Sequence, residues 1–283
     1  MNEIKNNREV KQIIVGTATS DGDGVQLTRI IGTPQLDMLD PFLLLDEFGS
    51  NKPLEYIGGF PDHPHRGFET VTYMIAGKMR HKDSAGNSGV IEAGGVQWMT
   101  AGKGIIHSEM PEQTQGLLAG LQLWVNLPAS KKMIEPKYQE HTAKEVPSEQ
   151  LENNGYINVV AGTTKNGTTG VIKNDFINPT YWDVNLTKST RFEETLDSNH
   201  NAFIYMLEGE ISVGTQETRL IKGQLAVLDK GENVNILSMQ NCRFVLIAGK
   251  PLNEPVSRGG PFVMNTRQQI LDAFADYSNG QLA

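Results

Sequence analysis

Five side chains in one fifty-residue stretch hold most of the metal-binding chemistry in this sequence. In FPDHPHRGFETVTYMIAG, which begins at Phe60, His63 and His65 stand two apart and Glu69 follows four later. In GGVQWMTAGKGIIHSE, His107 and Glu109 are again two apart. Residues i and i+2 of a strand face the same side. His63, His65 and Glu69 therefore share a face if one strand carries all three, and His107 with Glu109 share a face of another. Two such strands side by side gather three imidazoles and one or two carboxylates. Those donors suit Fe, Mn, Ni, Cu or Zn. The motifs contain no thiolate, which argues against a closed structural zinc site. Four protein donors on an octahedral ion leave two positions, enough for a substrate and dioxygen side by side. The other histidines, His81, His141 and His200, lie in polar segments and read as surface loop residues.

The elements that must position these groups read as short strands. Gly (29) and Pro (13) are frequent, which favours many turns over long helices. Asp21-Gly22-Asp23-Gly24 is a hairpin signal with a strand on either side. Phe42 to Leu45 is a buried apolar run, and Asp46 and Glu47 end it by capping a turn. Val71, Tyr73 and Ile75 alternate with Thr72, Met74 and Ala76 up to Gly77. Gly102 and Gly104 bracket the approach to His107, and GLLAGLQLWVNLP is a strand ended by Pro128. Residues 128–150, with three prolines, read as a connecting segment between two halves. Helical periodicity is confined to the tail. Thr266 and Gln269 form a capping box, and Ile270, Phe274 and Tyr277 make an apolar stripe that Gly280 terminates.

Composition excludes several classes. The net charge of −8 disfavours a direct grip on nucleic acid. No run of 18 apolar residues predicts a membrane span. The N-terminus lacks the apolar core of a signal peptide. Cys242 is the single cysteine and sits in an apolar run, so no internal disulfide forms, which fits a reducing compartment. A cytoplasmic monomer is the expectation.

The two halves resemble each other. Residues 70–79, TVTYMIAGKM, align with 202–211, AFIYMLEGEI, at an offset of 132, matching Tyr73 with Tyr205, Met74 with Met206 and Gly77 with Gly209. This predicts a duplicated β-domain. At that offset His63, His65 and Glu69 fall on Thr195, Asp197 and Asn201. Aligning Gly104 with Gly231 sets Val234 against His107 and Ile236 against Glu109. One half is competent for metal and the other is not.

The pattern HxH(x)3E, followed about forty residues later by a Gly-flanked histidine, resembles the motif pair of cupins, small double-sheet β-barrels. FPDHPHRGFETVTY, QWMTAGKGIIHSEMP, GLQLWVNLP and the tail GGPFVMNT are together similar to the pirin family. The resemblance covers most of residues 36–128, with weaker support beyond Ala161 and at the C-terminus. It implies an all-β bicupin of two cupin-type double-sheet barrels with a short C-terminal helix. The expected domains are 1–135, with the metal, and 136–283, without it, the latter carrying the tail helix at about 265–278. The pirin ligand set falls on His63, His65, His107 and Glu109. General cupins would take Glu69 instead of Glu109, and the sequence leaves that choice open. The resemblance favours Fe(II), with Mn, Ni, Cu or Zn as alternatives. The implied activity is that of a quercetin 2,3-dioxygenase, in which O2 opens a flavonol ring at a mononuclear metal with Glu109 or Glu69 as base. Phe60, Trp98 and Met99 are candidates for holding a flat substrate. The alternative is a metal-dependent, non-catalytic regulator that binds a transcription factor or metabolic enzyme.

Overall fold

A computed structural model describes residues 6–151 and 154–283. Two compact units are present. One comprises Thr17–Ala143 and Leu252–Ala283, and the other the chain up to Gly16 with Lys144–Pro251.

In the first unit a seven-stranded antiparallel sheet runs Lys137–His141, Val96–Thr100, Phe68–Ala76, Leu118–Asn126, Phe42–Ser50, Val25–Ile31, Thr17–Asp21. A four-stranded sheet runs Phe60–His65, Ile105–Pro111, Lys78–Asp83, Ser88–Glu92. Thr17–Asp21 and Val25–Ile31 pair across the Asp-Gly turn, as the hairpin signal predicts. Period-two alternation sends one face of each strand inward. In Lys78–Asp83 the residues Met79, His81 and Asp83 are buried while Lys78, Arg80 and Lys82 are exposed.

The second unit repeats the plan. Its seven-stranded sheet runs Val10–Val15, Gln224–Leu228, Asn201–Glu208, Cys242–Gly249, Thr180–Leu186, Tyr156–Ala161, Ser148–Gln150. Its four-stranded sheet runs Arg191–Thr195, Asn233–Ser238, Glu210–Val213, Thr218–Ile221. The order matches the first unit except at one edge of the large sheet, where Val10–Val15 precedes its barrel in the chain and Lys137–His141 follows its own. Gly77 and Gly209 both turn at positive φ, 81° and 77°. The interior differs. Val234 and Ile236 lie in an apolar cluster with Trp182, Phe192 and Phe244.

The termini depart from the expected division at 135/136. The strand Val10–Val15 pairs with Gln224–Leu228 and so belongs to the second unit. The tail belongs to the first, where Ile270 and Ala273 pack with Phe262, Met264 and Leu282. Local periodicity forms a strand or helix but does not choose its partner, which is why a contiguous division failed. Residues 137–141 and 148–150 are also not mere connection, since each adds an edge strand to a sheet. The helix Arg267–Ser278 carries the predicted capping box between Thr266 and Gln269. Its buried residues are Ile270 and Ala273, while Phe274 and Tyr277 are each 41% exposed. Asp46 does not end a strand. It lies buried inside Phe42–Ser50, and Arg29 forks onto it at 2.9 and 2.7 Å. Among the described residues no helix is long and apolar enough to cross a membrane.

Candidate metal centre

The strand Ile105–Pro111 lies between Phe60–His65 and Lys78–Asp83. His107 is registered against His63 on one side and Asp83 on the other, and Ile105 against His65. A register shift between His107 and Glu109 sets Glu109 opposite Phe60 and His81. The imidazoles of His63, His65 and His107 thereby converge, each offering one nitrogen, all within 4.8 Å of one another.

These residues fit a metal ion. His63 Nε2 and His65 Nε2 face each other at 3.0 Å. Two donors about 2.1 Å from one ion, at right angles, stand ~3.0 Å apart. His63 Nδ1 lies 2.8 Å from the Pro61 carbonyl and His65 Nδ1 3.4 Å from that of Pro261, contacts that hold the rings with Nε2 turned to the site. Both ring nitrogens of His107 are buried without a hydrogen-bond partner. Burial, reinforced by the neighbouring imidazoles, pulls the pKa of His65 and of His107 well below the ordinary 6.5. Neutral rings with free lone pairs are what a divalent ion requires.

The carboxylates separate. Glu109 is buried on the wall of the same cavity, where its Oε1 lies 2.7 Å from Thr72 Oγ1 and its Oε2 accepts from Gln122 Nε2 at 3.5 Å. Glu69 is elsewhere. Gly67, at φ 88°, breaks the chain after His65, so Glu69 belongs to the next strand, Phe68–Ala76. Thr72 points to Glu109, and Glu69, three residues earlier, points to the opposite face, where Thr100 Oγ1 donates to it at 2.7 Å. The shared-face expectation for His63, His65 and Glu69 assumed one strand, and the Gly67 turn removes that assumption.

The cavity in front of the imidazoles has a volume of about 520 Å³, within the range of small-molecule sites. Phe48, Phe60, Met79 and Trp124 supply apolar wall. Of the residues expected to hold a flat substrate, Phe60 lines it, whereas Trp98 and Met99 are buried core outside it. Trp124 lines it as well, with its ring centroid 5.2 Å from that of His65.

Three features were not legible as parts of a site. The tail hairpin Ser257–Gly259/Phe262–Met264 brings Arg258, Gly260 and Pro261 to the cavity, although GGPFVMNT stood out as a motif. Lys132 is 1% exposed, and its ammonium donates to Gly67 O at 2.7 Å, Asn126 Oδ1 at 2.6 Å and Val263 O at 2.9 Å. His81 is buried rather than on the surface, with Nε2 2.6 Å from Glu140 Oε2 and its ring stacked on Tyr138. His200 is likewise buried, and His141 is half-buried on an edge strand.

Two barrels of one topology in a single chain, one polar inside and one filled, define a bicupin. Comparison with known proteins then gives the family. The sequence matches Pirin over residues 24–125 and the Pirin C-terminal cupin domain over residues 181–283. A Caulobacter vibrioides pirin-like protein is 48% identical, covering 97% of this chain and 99% of that protein. A Pseudomonas aeruginosa protein provisionally named a quercetin 2,3-dioxygenase is 43% identical, covering 98% of each. The crystal structure of an Acinetobacter baumannii quercetin 2,3-dioxygenase superposes with a TM-score of 0.90 at 34% identity, covering 98% of this chain and 99% of that one. The chain belongs to the pirin family.

Proposed function

We propose that this protein is a metal-dependent dioxygenase of the quercetin 2,3-dioxygenase type. In this reading a flavonol and O2 give a ring-opened ester and carbon monoxide. The observation that carries the reading is the convergence of three imidazoles, those of His65 and His107 buried and that of His63 half-buried, beside a partly aromatic cavity that His63 and His65 line. The relatives named above support the same activity.

His63, His65 and His107 are assigned as ligands, with Glu109 as the fourth, and Fe(II) as the metal. Bound there, the ion supplies Lewis acidity at the substrate's 3-oxygen and a place for O2. The chain's own contributions follow from its geometry. Glu109 accepts the 3-hydroxyl proton. Thr72 and Gln122 hold its carboxylate in place, and a second oxygen lets it serve as ligand and base. Phe48, Phe60 and Trp124 exclude water and stack the flat rings. Glu69, on the far face of its strand, takes no part.

Iron-loaded protein mixed with quercetin in air should deplete the flavonol absorbance with one carbon monoxide released per flavonol, and His63→Ala should abolish both. Absence of turnover with iron, manganese, nickel, copper and zinc alike would refute the dioxygenase reading and leave a metal-dependent, non-catalytic role.

A further inference from the structure

The cavity wall bears two arginines in different electrostatic states. Arg29 is consumed. Asp46 takes its Nε at 2.9 Å and its Nη2 at 2.7 Å, and Asp21 takes Nη2 at 3.0 Å. Arg258, carried by the tail hairpin, is not. Its Nη1 reaches the Asp37 carbonyl at a long 3.3 Å, and the Asp37 carboxylate stands 3.8 Å away on a side chain 86% exposed. The side chain of Arg258 is 28% exposed, on a residue that is exposed as a whole. Burial lowers its pKa from the ordinary value, but a guanidinium keeps its charge at any physiological pH. A cation on a half-buried side chain, with one weak, solvent-screened counterion, is a docking point for an anion.

The remaining ionisable lining groups do not compete for that role. Asp21 and Asp46 share the single cation Arg29, so that cluster offers no free positive charge, while Glu109 and the imidazoles belong to the metal centre. We propose that Arg258 sets substrate choice, making this cavity a site for acidic aryl compounds. A carboxylate or ionised phenol of the ligand takes the guanidinium, and the aryl body lies against Phe48, Phe60 and Trp124. The inference rests on the small-molecule reading of the cavity, but it does not depend on ring cleavage. Asp37 then acts as a mild competitor for the same cation.

The test measures dissociation constants under argon, by ligand fluorescence, on protein as purified. The probes are a flavonol carrying a B-ring carboxylate and its methyl ester. Wild type should prefer the carboxylate about tenfold. Arg258→Gln should lose that preference with ester binding unchanged, and Arg258→Lys should keep part of it. Asp37→Asn, an exposed and structurally safe change, should widen the preference about twofold. No preference in wild type, or one that survives in Arg258→Gln, overturns the proposal. If Arg258→Gln loses ester binding as well, Asp37→Asn decides: a wider preference supports the proposal and an unchanged one overturns it. Since no O2 is present, lack of turnover in air would refute ring cleavage and leave this result standing.

Discussion

At the scale of single residues, His107 is the most telling. An imidazole buried with neither nitrogen partnered by the protein is destabilising on its own. His107→Leu should therefore abolish metal binding while leaving the metal-free protein as stable or more so, by about 1 kcal/mol. Thermal melts with and without chelator check both halves. A large loss of stability in the chelated variant would mean the ring is structural. For the carboxylates, Glu109→Gln should lower metal content in protein purified without added metal, and Glu69→Gln should not. The three histidines were legible because His63 and His65, and likewise His107 and Glu109, stand two apart, which puts each pair on one face of a strand. Glu69 was not, because its face depends on whether Gly67 bends the chain. A Cβ at Gly67 would lie 2.1 Å from the Val263 carbonyl, a close approach that only the folded tail creates.

At the scale of elements, the loop after His65 is held from three directions. Lys132 bridges Gly67, Asn126 and Val263, and Arg66 donates to the Lys103 carbonyl and pairs with Asp276 of the C-terminal helix at 2.7 Å. Three carbonyl acceptors match the three protons of one ammonium. Lys132→Met, similar in length and apolar, would leave those acceptors without a donor and should cost about 3 kcal/mol, read as a lower denaturant midpoint. It should also weaken metal affinity roughly tenfold, because the His65 loop loses its anchor. A destabilised variant with unchanged metal affinity would confine Lys132 to folding. The short strands, the hairpin at Gly22–Gly24 and the capping box were readable from alternation and turn chemistry. The tail's attachment was not. A motif such as GGPFVMNT signals a constrained backbone but not which barrel constrains it.

At the scale of the whole molecule, duplication gave two barrels and left polar chemistry in one. The offset of 132 residues exposed the repeat, and Val234 and Ile236 in the filled core show why the second copy holds no such site among the described residues. Burial holds the pKa of His65, His107 and His200 below the ordinary 6.5. As pH falls through 6.5 the unfolded chain takes up protons that the folded chain declines. The metal-free protein should therefore keep full stability above that pH and lose it progressively from pH 6.5 to 5. Melting temperatures across that range test this, and a flat profile would contradict it. The central claim is that three imidazoles from two neighbouring strands hold one ion. Its most direct test is elemental analysis of wild type beside His107→Leu, both purified without added metal. The account predicts about one transition-metal ion per wild-type chain and almost none in the variant. Equal metal in both proteins, or none in either, would contradict it.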